Sequence, residues 1–156
     1  MRTGVRLGVD VGTARVGVAR SDPHGMLATP VETLARRDDV VAGIRRLVDE
    51  HDAVEIVIGL PIALSGAETA STADARAVAA AIAHSIAVPV RLVDERLTTV
   101  SAARGLRQAG RTAKNSRSVV DQAAAVILLQ HALDLERASG NPPGALVEPH
   151  ESRPAE

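Results

Sequence analysis

Residues 5–19 read VRLGVDVGTARVGVA, and this stretch decides the fold. The apolar, branched residues at its start predict a buried strand over residues 5–9. Asp10 and Gly12 then supply the small, turn-forming residues that a hairpin needs, and a second strand is predicted over residues 16–19. The stretch therefore places an aspartate at the end of a buried strand, directly before a tight turn.

The rest of the chain extends this hairpin into a mixed sheet. A third strand is predicted over residues 27–33, at a sheet edge because Pro30 cannot donate a ladder hydrogen bond. Beyond it the hydrophobic period changes to that of alternating helices and strands. Helices are predicted from Asp38 or Asp39 to about residue 51, over residues 72–86, from Thr98 or Thr99 to about residue 109, and over residues 118–138, with strands at 56–58 and 90–93 and a basic loop at 110–117.

This order of elements predicts an α/β fold with a five-stranded mixed sheet, in the order 3-2-1-4-5, flanked by helices. The carboxyl ends of strands one, four and five would share one edge, which is where α/β sheets bind ligands. Asp10, Gly59, Asp94 and Glu95 all fall at that edge. We expect one domain over residues 1–138 and a disordered tail over residues 139–156, which holds four of the eight prolines.

Composition restricts the kinds of chemistry that the chain can perform. It has no cysteine, so a metal ion would need oxygen or histidine ligands. It has no Phe, Tyr or Trp, so nucleic-acid bases cannot be stacked on aromatic rings. No apolar run is long enough to span a membrane and no signal peptide follows Met1, so a cytoplasmic protein without a membrane partner is expected.

Charge is unevenly distributed, although the net charge is only -1. Residues 91–117 carry seven basic residues against Asp94 and Glu95. A local basic patch for phosphate groups and an ordinary solvated helix face are both consistent with this pattern. The basic residues of the stretch are Arg91, Arg96, Arg104, Arg107, Arg111, Lys114 and Arg117.

Three acids form the candidate catalytic site: Asp10, Glu95 and Asp121. Each has a structural explanation by itself, as a turn residue, a residue before a helix, and part of a capping box. Together they favour a different explanation, because the topology brings Asp10 and Glu95 to one edge and Asp121 shares the apolar face of its helix. Three clustered carboxylates repel one another unless cations neutralise their charge. Two Mg²⁺ or Mn²⁺ ions would do so.

Such a pair of ions would hydrolyse a phosphodiester bond by activating water and stabilising the leaving oxygen. No nucleophilic side chain is then required. The predicted enzyme is a nuclease, and basic residues near the acids would hold the flanking phosphates. The predicted phosphate-binding residues are Arg96, Arg107, Arg111, Lys114 and Arg117.

Four blocks of the sequence resemble the YqgF/RuvX family signature, in order and over roughly the first 135 residues. They are GVDVGTARVGVA at 8–19, IGLP at 58–61, DERLTT at 94–99 and DQAAAVILLQ at 121–130. The resemblance implies an RNase H-like fold and a metal site at Asp10, Glu95 and Asp121. It also implies a nuclease that matures the 16S rRNA precursor in ribosome biogenesis or resolves Holliday junctions. Thr13, Arg15 and Thr98 of the matching blocks are added as nucleic-acid-binding residues.

Two other functions remain open from the residues. The string Asp10, Val11, Gly12, Thr13 also resembles the first phosphate loop of actin-like and sugar-kinase ATPases, which clamp a nucleotide between two such domains. A catalytically silent module with the same fold, which binds RNA or DNA or has a regulatory role, is the third hypothesis. Precursor rRNA and branched DNA are both candidate substrates, and a two-fold junction would favour a homodimer. The segment Ala63, Leu64, Ser65, Gly66 departs from the family pattern.

Overall fold

The computed structural model describes the backbone of residues 1–96 and 114–148, and the side chains of these residues except 114–121. Within these ranges, six strands form one sheet in the order β3-β2-β1-β4-β5-β6. The first five strands follow the predicted order. Their bounds are β1 Val5–Val11, β2 Arg15–Ser21, β3 Ala28–Ala35, β4 Ala53–Leu60, β5 Val90–Asp94 and β6 Ala145–Leu146.

Strand directions agree with a meander followed by crossover connections. β1 pairs antiparallel with β2 and parallel with β4, and β4 pairs parallel with β5. β3 lies at the sheet edge, as Pro30 predicts, and the register with β2 shifts between Val18 and Ala19, next to the proline. A proline without an amide proton is tolerated at such an irregular edge position.

Three helices are described: α1 Val40–His51, α2 Ala70–Ser85 and α3 Lys114–Ser139. Of the two predicted caps, Asp38 and Asp39, it is Asp39 that caps α1, and its carboxylate accepts a hydrogen bond of 3.0 Å from the Ala42 amide. α3 starts earlier than predicted, because residues 114–117 are helical and not part of a loop. These four residues include neither proline nor glycine, so nothing in them stops a helix. The helix predicted for residues 98–109 lies outside the described residues. None of the described helices is long and apolar enough to cross a membrane.

The two faces of the sheet are covered by different helices. On one face, Leu7, Val9, Ile56 and Ile58 belong to a single apolar core with residues of α1 and α2. On the other face, α3 packs on a smaller cluster that includes Val57 and Val93. Alternation along β1 therefore points Arg6, Gly8 and Asp10 towards α3.

α3 is anchored at the amino ends of the strands by an ionic cluster, which we define as Arg2, Arg6, Glu55, Arg91 and Glu136. Arg2 Nη2 lies 2.7 Å from Glu136 Oε1 and 3.0 Å from Glu55 Oε1. Arg91 Nε lies 2.8 Å from Glu55 Oε2. Arg6, Glu55 and Glu136 are buried, and each has charged partners, which compensates for their desolvation. The cluster ties the C-terminal part of α3 to β1, β4 and β5.

The sixth strand lies in a segment that the sequence predicts to be disordered. Residues 145 and 146 pair with Leu92 and Arg91 of β5, and the Val147 amide donates to the Val90 carbonyl at 2.8 Å. Gly144 permits this approach, because it has a φ of +66° and a Cβ there would overlap the Leu92 carbonyl oxygen. The described part of the tail thus covers the edge of β5, while residues 149–156 lie outside the described residues.

Candidate active site

Asp10 is the first acid of the candidate site, and it lies near the carboxyl end of β1. It is fully buried, with 0% of its surface exposed. Its neighbour across the β1–β2 hairpin is Gly17, which has no side chain. A buried carboxylate at the mouth of a sheet is costly unless its charge is compensated.

Glu95, the second acid, directly follows β5. Its amide donates to the Leu60 carbonyl at 3.3 Å, which fixes the residue to the carboxyl end of β4. The side chain is only 3% exposed. A Cβ on Gly59 would overlap Glu95 Oε2 and lie 3.1 Å from Leu128 Cδ2, so glycine is needed for the carboxylate to lie where it does. Sequence reasoning placed Gly59 at this edge without recognising this role.

Strand register brings the two acids to the same edge of the sheet. Val9 of β1 pairs with Ile58 of β4, so Asp10 and Gly59 are each one residue further along. Gly59 in turn pairs with Val93 of β5, two residues before Glu95. Because paired residues in a parallel sheet point to the same side, both acids belong to the face that α3 covers.

Asp121, the predicted third acid, lies in α3, and its side chain is outside the described ones. Its neighbours on the helix, Ala124, Ala125 and Leu128, are buried against the sheet, as predicted. A Cβ on Gly8 would lie 2.6 Å from Leu129 Cβ and 3.1 Å from the Ala125 carbonyl oxygen. Gly8 therefore allows the helix backbone to lie very close to β1.

Gln122 adds an anchor for α3 that the sequence did not suggest. Its amide Nε2 donates to Thr33 Oγ1 of β3 at 3.1 Å. This contact joins the N-terminal half of α3 to the far edge of the meander. Its only sequence signal is an amide side chain in the otherwise apolar run that follows Asp121.

The β1–β2 turn beside Asp10 carries two of the predicted nucleic-acid-binding residues. Thr13 is exposed and Arg15 is partly buried. The turn is held by Arg36, whose Nη1 donates to the Gly12 carbonyl at 2.9 Å and to Asp74 Oδ2 at 2.8 Å. Sequence reasoning missed Arg36, because Asp74 lies 38 residues away on α2.

Two arginines of the predicted basic stretch have acidic partners in the structure. Arg96 Nη2 lies 2.8 Å from Asp94 Oδ2, and this hydrogen-bonded guanidinium lowers the pKa of Asp94 and raises that of Arg96. Arg91 pairs with Glu55 at the opposite end of the sheet, so it is not part of a patch near the acids. Thr98, Arg107 and Arg111 lie outside the described residues, and Lys114 and Arg117 are placed only by their backbone in α3.

The residues described here suit a hard, oxygen-preferring cation. Asp10 and Glu95 offer carboxylate oxygens in a buried setting, and the missing Cβ of Gly59 makes room for the Glu95 carboxylate. No group of three acidic or histidine side chains able to hold a metal occurs among the side chains that the structure describes, a set from which Asp121 is excluded. Two of the three predicted acids are thus at one sheet edge, and the backbone of the third lies in the helix over that edge.

Comparison with known protein families gives a match over most of the chain. A family model described as "RuvX: Holliday junction resolvase" matches residues 4–135. A protein of Leifsonia xyli is 61% identical over 151 residues, covering 96% of this chain and 97% of that protein. A protein of Streptomyces coelicolor is 56% identical over 151 residues, covering 95% and 90%. Each bears the name "Putative pre-16S rRNA nuclease".

Among solved structures, the chain is similar to Thermus thermophilus RuvC in complex with a Holliday junction substrate. The TM-score is 0.51 at 16% sequence identity, and the alignment covers 86% of this chain and 97% of that one. At this identity the likeness concerns the fold alone, and it confirms the RNase H-like architecture.

Proposed function

The chain belongs to the RuvX family of Holliday junction resolvases, which makes it a nuclease, and on that premise we propose how it cuts and what it cuts. The proposal is a hydrolase that depends on divalent metal ions held by Asp10, Glu95 and Asp121 and that acts on the 16S rRNA precursor. Of the three functions left open by the residues, the nuclease is the one that the family match supports.

One observation carries the metal site: two carboxylates, 85 positions apart in the sequence, are buried at the same sheet edge under the same helix. Ionised carboxylates in a poorly solvated site repel each other and lose hydration. A bound cation removes both penalties, and Mg²⁺ or Mn²⁺ matches carboxylate oxygens. Two such ions would exceed the charge of three carboxylates and leave an attractive site for a phosphodiester.

The backbone of Asp121 is at the right height for a third ligand. α3 runs antiparallel to β1, since Glu136 lies by Arg6 and Leu129 lies over Gly8. Asp121 is four residues before Ala125, about 6 Å along the helix axis. Asp10 is two residues beyond Gly8, about 6.6 Å along the strand in the same direction. We therefore place Asp121 in the same row as Asp10.

Each part of the chain would have a defined task in hydrolysis. When bound, the ions would supply Lewis acidity to activate water and to stabilise the leaving oxygen. Asp10, in β1, and Glu95, directly after β5, would fix the position of the ions, and α3 would exclude bulk water from one side. Thr13, in the β1–β2 turn, and Arg15, at the start of β2, would contact phosphates that flank the cleaved bond. Arg107, Arg111, Lys114 and Arg117 would extend this contact, and we propose the same role for Arg96 and Thr98, which follow Glu95 in the sequence.

Precursor rRNA is the substrate that the names of the relatives favour. A chain without aromatic residues would bind such RNA mainly through its backbone. Four-way DNA junctions, which the family description names, are the alternative. Both substrates present closely spaced phosphates, so the substrate must be decided by direct comparison.

The deciding experiment compares wild type, Asp10→Asn and a matched control, Asp134→Asn. Asp134 is an exposed residue of α3 that pairs with Arg137 at 2.8 Å, close to the ionic cluster and away from the acids. We expect wild type and Asp134→Asn to cleave precursor 16S rRNA only with Mg²⁺ or Mn²⁺. We expect Asp10→Asn to cleave at least about 100-fold more slowly, because a metal ion contributes several kcal/mol to the transition state.

Binding must be measured beside cleavage. Calorimetric titration with Mn²⁺ should give two ions per wild-type chain and weaker binding by Asp10→Asn, while RNA is still bound. Cleavage that persists in Asp10→Asn, or in the presence of a chelator, would refute the metal site. Cleavage of the DNA junction with the rRNA precursor left intact would refute the proposed substrate. RNA binding without any cleavage by wild type would support the silent module.

A further inference from the structure

The β4–α2 loop, residues 61–69, presents an apolar side chain beside the candidate site. Leu64 is 80% exposed, more than any other large hydrophobic side chain that the structure describes. Isolated exposed leucines are common on protein surfaces and need no explanation by themselves. The position of Leu64 and the construction of its loop distinguish it from the others.

The loop is closed by its own hydrogen bonds. The Gly66 amide donates to the Ala63 carbonyl at 2.8 Å, which makes a four-residue turn with Leu64 at its second position. The Ala63 amide donates to the Ala67 carbonyl at 3.0 Å, so the turn caps a short hairpin. Leu64 is thus held at the tip of an ordered turn, where its side chain is exposed.

The base of the loop is also anchored. Ile62 and Glu68 form an isolated β-bridge, and the Thr72 hydroxyl donates to the Pro61 carbonyl. Glu68 Oε2 lies 2.6 Å from Arg76 Nη2 on α2. The tip therefore has a fixed position relative to the end of β4.

That end of β4 is part of the candidate active site. Leu60 accepts the hydrogen bond from the Glu95 amide, and the loop begins at the next residue. A Cβ on Gly66 would lie 3.3 Å from Arg96 Nη1, so the loop rests against the residue that follows Glu95. The loop therefore adjoins the chain segment that carries Glu95.

We propose that Leu64 contacts the face of an unstacked base next to the cleaved phosphate, and so directs cleavage to single-stranded or branched steps. The chain has no aromatic residue for this purpose, and aliphatic side chains serve as wedges between bases in other nucleic-acid-binding proteins. The free energy needed to open a paired, stacked step is about as large as the free energy gained by burying one leucine. Leu64 would therefore recognise a step that is already open. This inference rests on the proposed nuclease function.

The test uses RNA substrates with 2-aminopurine at an unpaired step or within a continuous duplex. The protein contributes no aromatic fluorescence, so the measured fluorescence comes from the base analogue alone. Binding is measured in Ca²⁺, whose loose coordination does not meet the octahedral demand of Mg²⁺. Variants are Leu64→Ala, Leu64→Met and the control Leu27→Ala, which alters a 62% exposed leucine in the β2–β3 connection at the opposite end of the sheet.

We expect Leu64→Ala to bind the unpaired-step substrate about tenfold more weakly and to lose the fluorescence change at that step. Binding of the continuous duplex should stay the same, so the preference between substrates falls by the same factor. Leu64→Met should retain the preference, and Leu27→Ala should match wild type.

Equal weakening of binding for both substrates, or no weakening for either, would overturn the proposal. The exposure of Leu64 would then be explained by contact with another protein. These outcomes are distinct from failure of the nuclease proposal, because the fluorescence measurement does not require cleavage. If wild type cleaves nothing but Leu64→Ala still loses the base contact, the contact stands without the catalytic role. If wild type cleaves and Leu64→Ala binds normally, the nuclease stands without the contact.

Discussion

Replacing Gly59 by alanine should separate activity from stability. The added Cβ would overlap Glu95 Oε2, and its next contact is Leu128 Cδ2 at 3.1 Å. Both atoms are the far ends of flexible side chains, so they can move without moving the backbone. The carboxylate would have to shift by about 1 Å, the difference between an overlap and an ordinary van der Waals contact.

A shift of that size is small for the fold and large for the chemistry. Misplacing a catalytic group by about 1 Å costs on the order of 100-fold in rate. The change in unfolding free energy should stay within about 1 kcal/mol, because alanine also restricts the unfolded chain in favour of the fold. We therefore expect metal-dependent cleavage by Gly59→Ala to fall by about 100-fold, with a melting temperature within about 4 °C of wild type.

Two other glycines serve as controls. At Gly8 the obstacles are Leu129 Cβ at 2.6 Å and the Ala125 backbone carbonyl at 3.1 Å, so Gly8→Ala should destabilise the protein by about 1–3 kcal/mol. At Gly43, in α1, the nearest atom is the flexible Leu34 Cδ1 at 3.0 Å, and activity should not change. Cleavage rates and Mn²⁺ titrations are compared with thermal melts. Wild-type cleavage and Mn²⁺ affinity in Gly59→Ala would refute the role given to Glu95.

Two further predictions concern stability. The Arg2 hydrogen bond lowers the pKa of Glu136 from 4.5 to about 2, so this pair contributes stability above pH 4.5 that is lost as the pH falls towards 2. Arg2→Ala should lower the free energy of unfolding by roughly 1–3 kcal/mol at pH 7. This is less than the full pKa shift implies, because the Arg2 side chain is 41% exposed to solvent. Urea unfolding at pH 7 and pH 3 should show that the loss becomes smaller in acid. Asp39→Ala removes the N-cap of α1 and should cost about 1 kcal/mol in urea unfolding without changing cleavage; a loss of cleavage would mean that α1 affects the site.

Local patterns in the sequence predict much of the fold, because each is decided by neighbouring residues. The hairpin around Gly12, the edge position of Pro30 and the cap at Asp39 all follow from the chemistry of one or two residues. The strand order then follows from handedness rules, and it places Asp10 and Glu95 at one edge before any coordinates are known. The family also follows from blocks of sequence, and the comparisons confirm it.

Contacts between distant residues were not predictable. Arg36, for example, holds the β1–β2 turn and pairs with Asp74 of α2, 38 positions away, which no local pattern predicts. The tail strand depends on Gly144 fitting against the Leu92 carbonyl, which no periodicity reveals. The ionic cluster has one signal in the sequence: Arg6 and Glu55 each interrupt an apolar strand. A charged residue at such a position needs a buried partner.

The face of the sheet beneath α3 explains why these elements occur together. At the amino ends of the strands it carries the charges of the ionic cluster, including Arg6 and Glu55, matched by Glu136 of the helix. In the middle it carries Gly8 and small apolar residues, which let the helix lie close. At the carboxyl ends it carries the buried acids. Because the helix is fixed at one end by ion pairs and along its middle by close packing, its other end has little freedom to slide. The proposed site, with two cations between strands and helix, would require such a fixed spacing, since a shift of one helical turn would carry Asp121 about 5.4 Å from the row in which we place it with Asp10.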